Sequence, residues 1–308
     1  MRKFYLPKQQ FTQIDTLEPH TWIKVVQPTS EDIDYLCDEL GIPDGFIGDT
    51  ADSDERPRTE EEDGWRLTII RIPIETPEGT TPYNTVPIGV ISNLEKQLVV
   101  TICYHRTDLI PDFIKHNQRK GISVDTDIDF ILRLIMSSAV WFLKYLKQIS
   151  FLILETEEAL EKSIRNEDLL QMMRLQKCLV YFNTSIRGNE TVIGRFKVSH
   201  YDQYDADLAE DVAIELNQAY SMVNVYSDLM NGTMDAFGGI INNNINTIMR
   251  RMTSISMILM LPTLVASLYG MNVDLPWAEQ SWAFIGIMVV CLIFSAIAFW
   301  LFKRIHWF

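Results

Sequence analysis

The sequence predicts an α/β domain, then a long helical stalk, then two C-terminal transmembrane helices. Three observations carry this. Runs rich in Val and Ile alternate with short helical patterns over residues 1–125. Helical periodicity replaces them from there on, and two long uncharged apolar runs close the chain.

The 308 residues suffice for one or two domains with a sizeable core. Charge is unevenly spread. Of 27 basic and 41 acidic residues, only Arg251, Lys303, Arg304, Asp274 and Glu279 lie beyond residue 250. The first 250 residues therefore hold 27 − 3 = 24 basic and 41 − 2 = 39 acidic groups, a net −15. That balance argues against nucleic acid as a partner, whose phosphates attract Lys and Arg. It favours solubility and an attraction for cations. Cys37, Cys103, Cys178 and Cys291 are widely spaced and form no CxxC pair, so they read as reduced thiols in a chain facing the cytosol. The N-terminus has no apolar stretch of signal-peptide type. The Asn-x-Ser/Thr matches at Asn183, Asn189 and Asn231 then read as coincidental.

Within residues 1–125, TWIKVVQP (21–28) reads as a strand. TSEDIDYLCDELGIP (29–43) reads as a short helix, capped at Thr29 or Ser30 and stopped at Gly41–Pro43. WRLTIIRIP (65–73), VPIGVIS (86–92) and QLVVTICY (97–104) read as further strands, and residues 49–64 as an acidic loop. Helical periodicity then runs from Ile128 to about Arg187, with RGNETVIG (187–194) as its break.

A helix starts near Tyr204 and meets no stop before Gly270. Leu208, Val212, Leu216, Ala219 and Val223 begin an apolar face that continues to Ile248. At 1.5 Å per residue its length is about 100 Å, far beyond a bilayer, so the helix reads as a stalk entering the membrane. Such a length calls for partners along it, and hence for an oligomeric bundle.

Met252–Tyr269 and Trp282–Phe302 are uncharged runs of 18 and 21 residues, long enough to span. Arg250-Arg251 precede the first and Lys303-Arg304 follow the second, while the connection has neither Lys nor Arg. The positive-inside rule puts both termini in the cytoplasm of a multi-pass cell-membrane protein. Trp277, Trp282, Trp300 and Trp307 fall near the interfaces, and Pro262 marks a kink in the first span. The resulting divisions are a cytoplasmic α/β domain (1–125) and a cytoplasmic helical region (126–203). The stalk helix follows (204–270, its membrane part about 252–269), then an extracellular loop (271–281), the second span (282–302) and a basic tail (303–308).

Asp235, Asn242, Asn246, Met249, Thr253, Ser256, Met260, Thr263 and Ser267 recur at steps of three, four or seven, which is one face of the stalk. Small hydroxyls on a membrane helix fit close helix packing or the wall of a water-filled pore. The amides continuing the same face favour the pore. One such helix per chain cannot enclose a lumen, so several copies must ring an axis, and each residue becomes a ring of identical groups. Beyond the helix lies YGMNVDLPW (269–277), a polar island holding Asn272 and Asp274.

YGMN after a Pro-containing apolar run, a second span, and the ending FKRIHWF resemble the CorA family of magnesium channels, of the two-transmembrane Gly-Met-Asn type. NNNINTIMRR and DLAEDVAIELNQA are also similar to that family's segments. The resemblance implies a pore-forming homo-oligomer, a pentamer, in a lipid bilayer. It implies a selectivity filter at Gly270, Met271 and Asn272. Inner pore rings would be formed by Asn246, Met249, Met252 and Met260, an acidic ring by Asp235, and a regulatory metal ligand by Asp211. The ion implied is Mg²⁺, transported and regulatory, with Co²⁺ and Ni²⁺ as further cargo. The chain departs from the family in its outer loop. Where a Met-Pro-Glu-Leu run is frequent, VDLPWAEQSW stands, and Asp274 and Glu279 supply negative charge without matching residue by residue.

No GxxxxGK[ST] or GxSxG motif occurs and the five histidines lack zinc-ligand spacing, so no enzyme is expected. Two other readings stay open. A zinc or other divalent transporter on this scaffold would be marked by clustered His and Cys or a basic funnel. A membrane-anchored scaffold would leave the polar stripe dispensable.

Overall fold

The structure is a computed structural model. It describes residues 2–77, 79–93, 95–163, 165–199, 205–271, 280, 282–305 and 307. The chain forms two compact units, Met1–Asn231 and Gly232–Phe308.

The first unit is built on a seven-stranded sheet. β1 (Arg2–Leu6), β2 (Thr12–Ile14) and β3 (Trp22–Val26) come first, and β4 (Arg58–Glu62), β5 (Trp65–Glu75), β6 (Tyr83–Asn93) and β7 (Leu98–Cys103) follow α1 (Ser30–Asp34) and α2 (Asp44–Ala51). The order is β2-β1-β3-β7-β6-β5-β4, and only β3 and β7 run parallel. The α/β expectation holds, but most of the sheet is an antiparallel meander. The single parallel pair is the one the helices α1 and α2 lead up to.

Side-chain alternation sends neighbouring residues to opposite faces. From β3, Ile23 and Val25 join Leu36, Leu40, Phe46 and Ile47 of the α1–α2 region. Trp22 points the other way, into a cluster with Phe11, Phe113 and Phe130 whose ring centroids lie 5.1–6.3 Å apart. Phe113 belongs to α3 (Leu109–Lys120) and Phe130 to α4 (Asp127–Lys162), so these helices cover the second face. The α4 N-terminus is fixed twice. Thr126 Oγ1 accepts from Asp129 N at 3.1 Å. The buried Asp127 carboxylate accepts from Arg66 Nη1 at 2.8 Å and from Ser92 Oγ at 2.6 Å.

Two expectations need correction. The acidic loop at 49–64 contains the end of α2 and all of β4. β4 reads RTEEE because it is the sheet's edge, where charged side chains face water and block further pairing. Arg58 braces it, donating to Asp49, Glu55 and Glu60.

The second correction concerns RGNETVIG. It is no break: α5 runs Asn166–Ser199 straight through it, and α4 ends earlier, at Lys162. Gly188 is there for close approach, since a Cβ on it would lie 2.6 Å from Pro57 Cγ. Asn189 is fully buried and caps an open strand edge. Its Oδ1 accepts from Arg71 N at 2.8 Å and its Nδ2 donates to Arg71 O at 2.7 Å, where β5 has run past the end of β4.

α5 presents its other side to α6 (Ala206–Tyr269). Gln176 Nε2 donates to Asn231 Oδ1 at 2.7 Å, Asn183 Nδ2 donates to Asn224 Oδ1 at 3.0 Å, and Arg187 lies over the Tyr220 ring at 4.9 Å. Seven residues forward on α5 match seven backward on α6, then four match four. The helices are antiparallel along one seam. All three glycosylation-type asparagines, Asn183, Asn189 and Asn231, thus have hydrogen bonds within the fold.

In the second unit, α6 continues as one helix through Gly232, Gly238, Gly239 and Pro262 to Tyr269. α7 spans Ala283–Arg304. Both helices are long and apolar enough to cross a membrane.

Candidate pore and metal-binding residues

Within the membrane part of α6, burial falls on one stripe. Ser254 is fully buried, and Ile258, Pro262 and Val265 are half-buried. At 3.6 residues per turn, the stripe of Thr253, Ser256, Met260, Thr263 and Ser267 lies about 180° from it. Every member of that polar stripe is exposed, Met260 at 71 %. Asp235, Asn242, Asn246, Met249 and Met252 are exposed as well. Between the stripes lie two apolar flanks, Met257/Leu261/Leu264/Leu268 on one side and Ile255/Leu259 on the other, each about 90° from the polar stripe.

The stripe's hydroxyls are oriented by their own helix. Thr253 Oγ1 donates to Met249 O at 2.8 Å and Thr263 Oγ1 to Leu259 O at 2.8 Å. Thr247, below them, donates to Asn243 O at 2.9 Å. The Thr253 and Thr263 hydroxyls have each spent their one proton on the backbone, so only their lone pairs remain to face outward. At these two positions the surface accepts hydrogen bonds from the waters around a cation and has no hydroxyl proton to offer an anion.

At the C-terminal end of α6, Gly270 N donates to Ala266 O at 3.0 Å and to Ser267 O at 3.3 Å, and Met271 N to Leu268 O at 3.4 Å. The helix tightens from four-residue to three-residue bonding and stops there. A Cβ on Gly270 would sit 3.3 Å from Ala266 O, so the stop favours a residue without one. Met271 is exposed. Asn272, Asp274 and Glu279 lie outside the described residues.

Asp211 is exposed on α6 in the first unit, one turn from Asp207 and one turn from Glu215. Among the described residues, no three His, Cys, Asp or Glu groups come together in a metal-holding arrangement. Among the described residues, no such cluster forms around Asp211. Elsewhere burial controls the titratable groups. It pushes the Cys103 thiol up to about 11, and burial together with Asp44 pushes Cys37 up to about 12. Both are held as inert thiols.

On α7, Cys291 is buried and Ile287, Ser295 and Ala298 beside it are half-buried, and the helix ends with Arg304 over the Trp300 ring at 5.4 Å. Ser295 had no place among the sequence candidates. Its only signal was a polar residue in an otherwise apolar run.

An α/β unit followed by two C-terminal bilayer-length helices, the first with an exposed polar stripe, is the architecture of a two-span membrane transport protein. The sequence matches the CorA-like Mg2+ transporter protein family over residues 18–304, and the chain belongs to that family. It is 25 % identical over 293 residues to the cobalt/magnesium transport protein CorA of Methanocaldococcus jannaschii, covering 93 % of this chain and 90 % of that one. It is 21 % identical over 316 residues to the magnesium transport protein CorA of Helicobacter pylori, covering 99 % and 97 %. Its fold is similar to the complete structure of the CorA magnesium transporter from M. jannaschii, with a TM-score of 0.83 at 21 % identity, covering 100 % and 99 % of the two chains.

Proposed function

We propose that this chain is one subunit of a homo-oligomeric channel that admits Mg²⁺ to the cell, with Co²⁺ and Ni²⁺ as further cargo. The observation that carries this reading is the opposition of the two stripes on α6. A helix buried on one side, polar on the far side and apolar on both flanks has four kinds of neighbour to satisfy. The buried stripe serves a helix of its own unit. The flanks serve adjacent copies, and the polar stripe serves water at a shared axis. A ring of identical subunits meets all four needs, and a pentamer is the ring the family resemblance points to. Both termini then lie in the cytoplasm and the filter faces outside.

Mg²⁺ sheds its waters reluctantly and takes oxygen ligands. A ring of Asn272 amides with Gly270 carbonyls would hold the hydrated ion without stripping it. Neutral oxygens bind weakly enough to release, which conduction needs. Asp274 and Glu279 would concentrate cations at the mouth. Outward-facing lone pairs on Thr253 and Thr263 then suit the ion's water shell. The Met249, Met252 and Met260 rings would be apolar constrictions that close by dewetting. A membrane potential of about 100 mV contributes roughly 4.6 kcal/mol to inward movement of a divalent ion. Intracellular Mg²⁺ bridging Asp211 to a carboxylate of a neighbouring copy would close the ring, and its loss would leave like charges to repel.

The test is Mg²⁺ uptake into liposomes by Asn272→Ala, with Co²⁺, Ni²⁺ and Zn²⁺ as competing cargo. Uptake should fall at least tenfold; uptake equal to that of the unaltered chain rejects the filter. Zn²⁺ uptake exceeding that of Mg²⁺ would move the cargo to zinc on the same scaffold.

A further inference from the structure

Ser295 on α7 has a buried hydroxyl that finds no hydrogen-bond partner among the described residues. The neighbouring span holds the complementary defect. Pro262 lies inside α6 and has no N–H, so the carbonyl of Ile258, four residues earlier, lacks its helical donor. In hydrocarbon neither group has water to turn to, so each unpaired one is costly.

The two defects stand at matching places along their helices. The less exposed positions of α6 include 254, 258, 262 and 265, and those of α7 include 287, 291, 295 and 298; 254 and 291 are buried and the others half-buried. Both step by four, four and three, as the two sides of an antiparallel helix seam do. Ile258 lies 269 − 258 = 11 residues before the end of α6, and Ser295 lies 295 − 283 = 12 residues after the start of α7. At 1.5 Å per residue their depths agree to about 1.5 Å when the two helix ends are level. Ile258 and Pro262 are on the buried stripe, so the carbonyl freed by Pro262 opens on the side where the partner helix packs.

We propose that Ser295 donates a hydrogen bond to the Ile258 carbonyl in a second conformation of the pore helix, and that bending at Pro262 makes and breaks this bond. Proline is where a helix bends most readily, because the missing bond leaves one turn unfastened. Ser295 is then a positioning residue for transport: it touches no ion, and acts by favouring one shape of the helix that lines the pore. The inference rests on α6 being that helix. A hydrogen bond of ordinary net strength shifts the ratio of two conformations by about 2- to 12-fold.

The experiment is a double-mutant cycle on the full chain, Ser295→Ala and Pro262→Ala, with Ser295→Thr as the conservative control. Mg²⁺ uptake is measured in liposomes. Ser295→Ala should change the uptake rate at least about 2-fold, as expected for one lost bond, and Ser295→Thr should restore it. In the Pro262→Ala background the new amide N–H recaptures the Ile258 carbonyl, and Ser295→Ala should then have no effect. An unchanged rate in Ser295→Ala, or the same change in both backgrounds, overturns the proposal. If Pro262→Ala does not transport, the cycle is read in the melting temperature of the purified protein in detergent. There a Ser295→Ala shift that vanishes with Pro262→Ala supports the bond, and equal shifts overturn it. The melting cycle is independent of the pore reading, which stands or falls with Asn272→Ala.

Discussion

Asn189 holds both backbone groups of Arg71 with its side-chain amide, at 2.8 Å and 2.7 Å. A helix side chain thus completes a strand edge that β4 leaves open. Asn189→Ala should cost about 1–3 kcal/mol, because the Arg71 N–H is left buried without a partner. Asn189→Asp should cost more, since a carboxylate oxygen would face the Arg71 carbonyl. Melting temperatures of the full chain decide it; a shift below a degree for both variants contradicts the edge role.

Two glycines of α5 should respond in opposite directions. Gly188→Ala drives a methyl into Pro57 and should destabilise by about 1–3 kcal/mol. Gly194→Ala meets nothing within 4 Å, so it should gain up to about 1 kcal/mol from helix propensity. If both changes have the same sign, the close approach at Pro57 is not what placed Gly188.

His105 gives the first unit a pH dependence. Burial, and then the nearby Arg71 charge, lower its pKa, and its Nδ1 is buried with no partner among the described residues. The unfolded chain therefore binds this proton more readily than the fold does. Stability from this group is fully present above the unfolded value of about 6.5 and is lost as pH falls below it toward the folded value. Between pH 7.5 and 5.5 the unaltered chain should lose melting temperature more steeply than His105→Asn. Parallel slopes would rule His105 out.

Thr263→Val keeps shape on the polar stripe while removing the lone pairs. Mg²⁺ uptake should fall by about 2- to 10-fold, the range of one weak polar interaction. Phe294→Leu, exposed on α7, is the control and should leave uptake unchanged. An equal response of both variants would mean the stripe has no special part in conduction.

The proposed closure by intracellular Mg²⁺ predicts that Asp211→Ala carries current at internal Mg²⁺ concentrations where the unaltered chain carries none. Patch recordings with stepped internal Mg²⁺ measure this directly. An unshifted inhibition curve removes Asp211 from regulation.

The parts legible in the sequence were those whose pattern has one cause. The strands at 65–73, 86–92 and 97–104 are buried runs, and they reappear as Trp65–Glu75, Tyr83–Asn93 and Leu98–Cys103. The helix expected from 204 runs Ala206–Tyr269. β4 escaped because an edge strand carries charge where buried strands carry Val and Ile, and β1, though paired on both sides, opens with the half-buried Arg2 and Lys3. α5 was cut in the wrong place because it is sandwiched. It meets the sheet through Cys178, Ser185 and Asn189 and meets α6 through Gln176, Asn183 and Arg187. A helix with two partnered sides shows no single apolar stripe, so its glycine looked like a stop. Its true start has a signal of another kind, Glu167 and Asp168 in the first turn, where they complement the helix dipole.

In the candidate site, spacing alone found the exposed stripe from Thr253 to Ser267. What spacing could not supply was the opposite face. The positions that pack form a second stripe of mixed chemistry, Ser254, Ile258, Pro262 and Val265, with no hydropathy signature to separate it from the flanks. Asn272, Asp274 and Glu279 remain expectations from the sequence and the family.

The polar seam between α5 and α6 also limits how the two helices can move past each other. Sliding α6 along α5 by one turn would pull Asn231, Asn224 and Tyr220 from their partners together, while a tilt of the pair would disturb none. α5 is in turn bolted to the sheet at Gly188 and Asn189. The sheet, α5 and the first 26 residues of α6, up to Asn231, are therefore tied so that the α5–α6 pair can tilt together but cannot slide past one another without losing the whole seam.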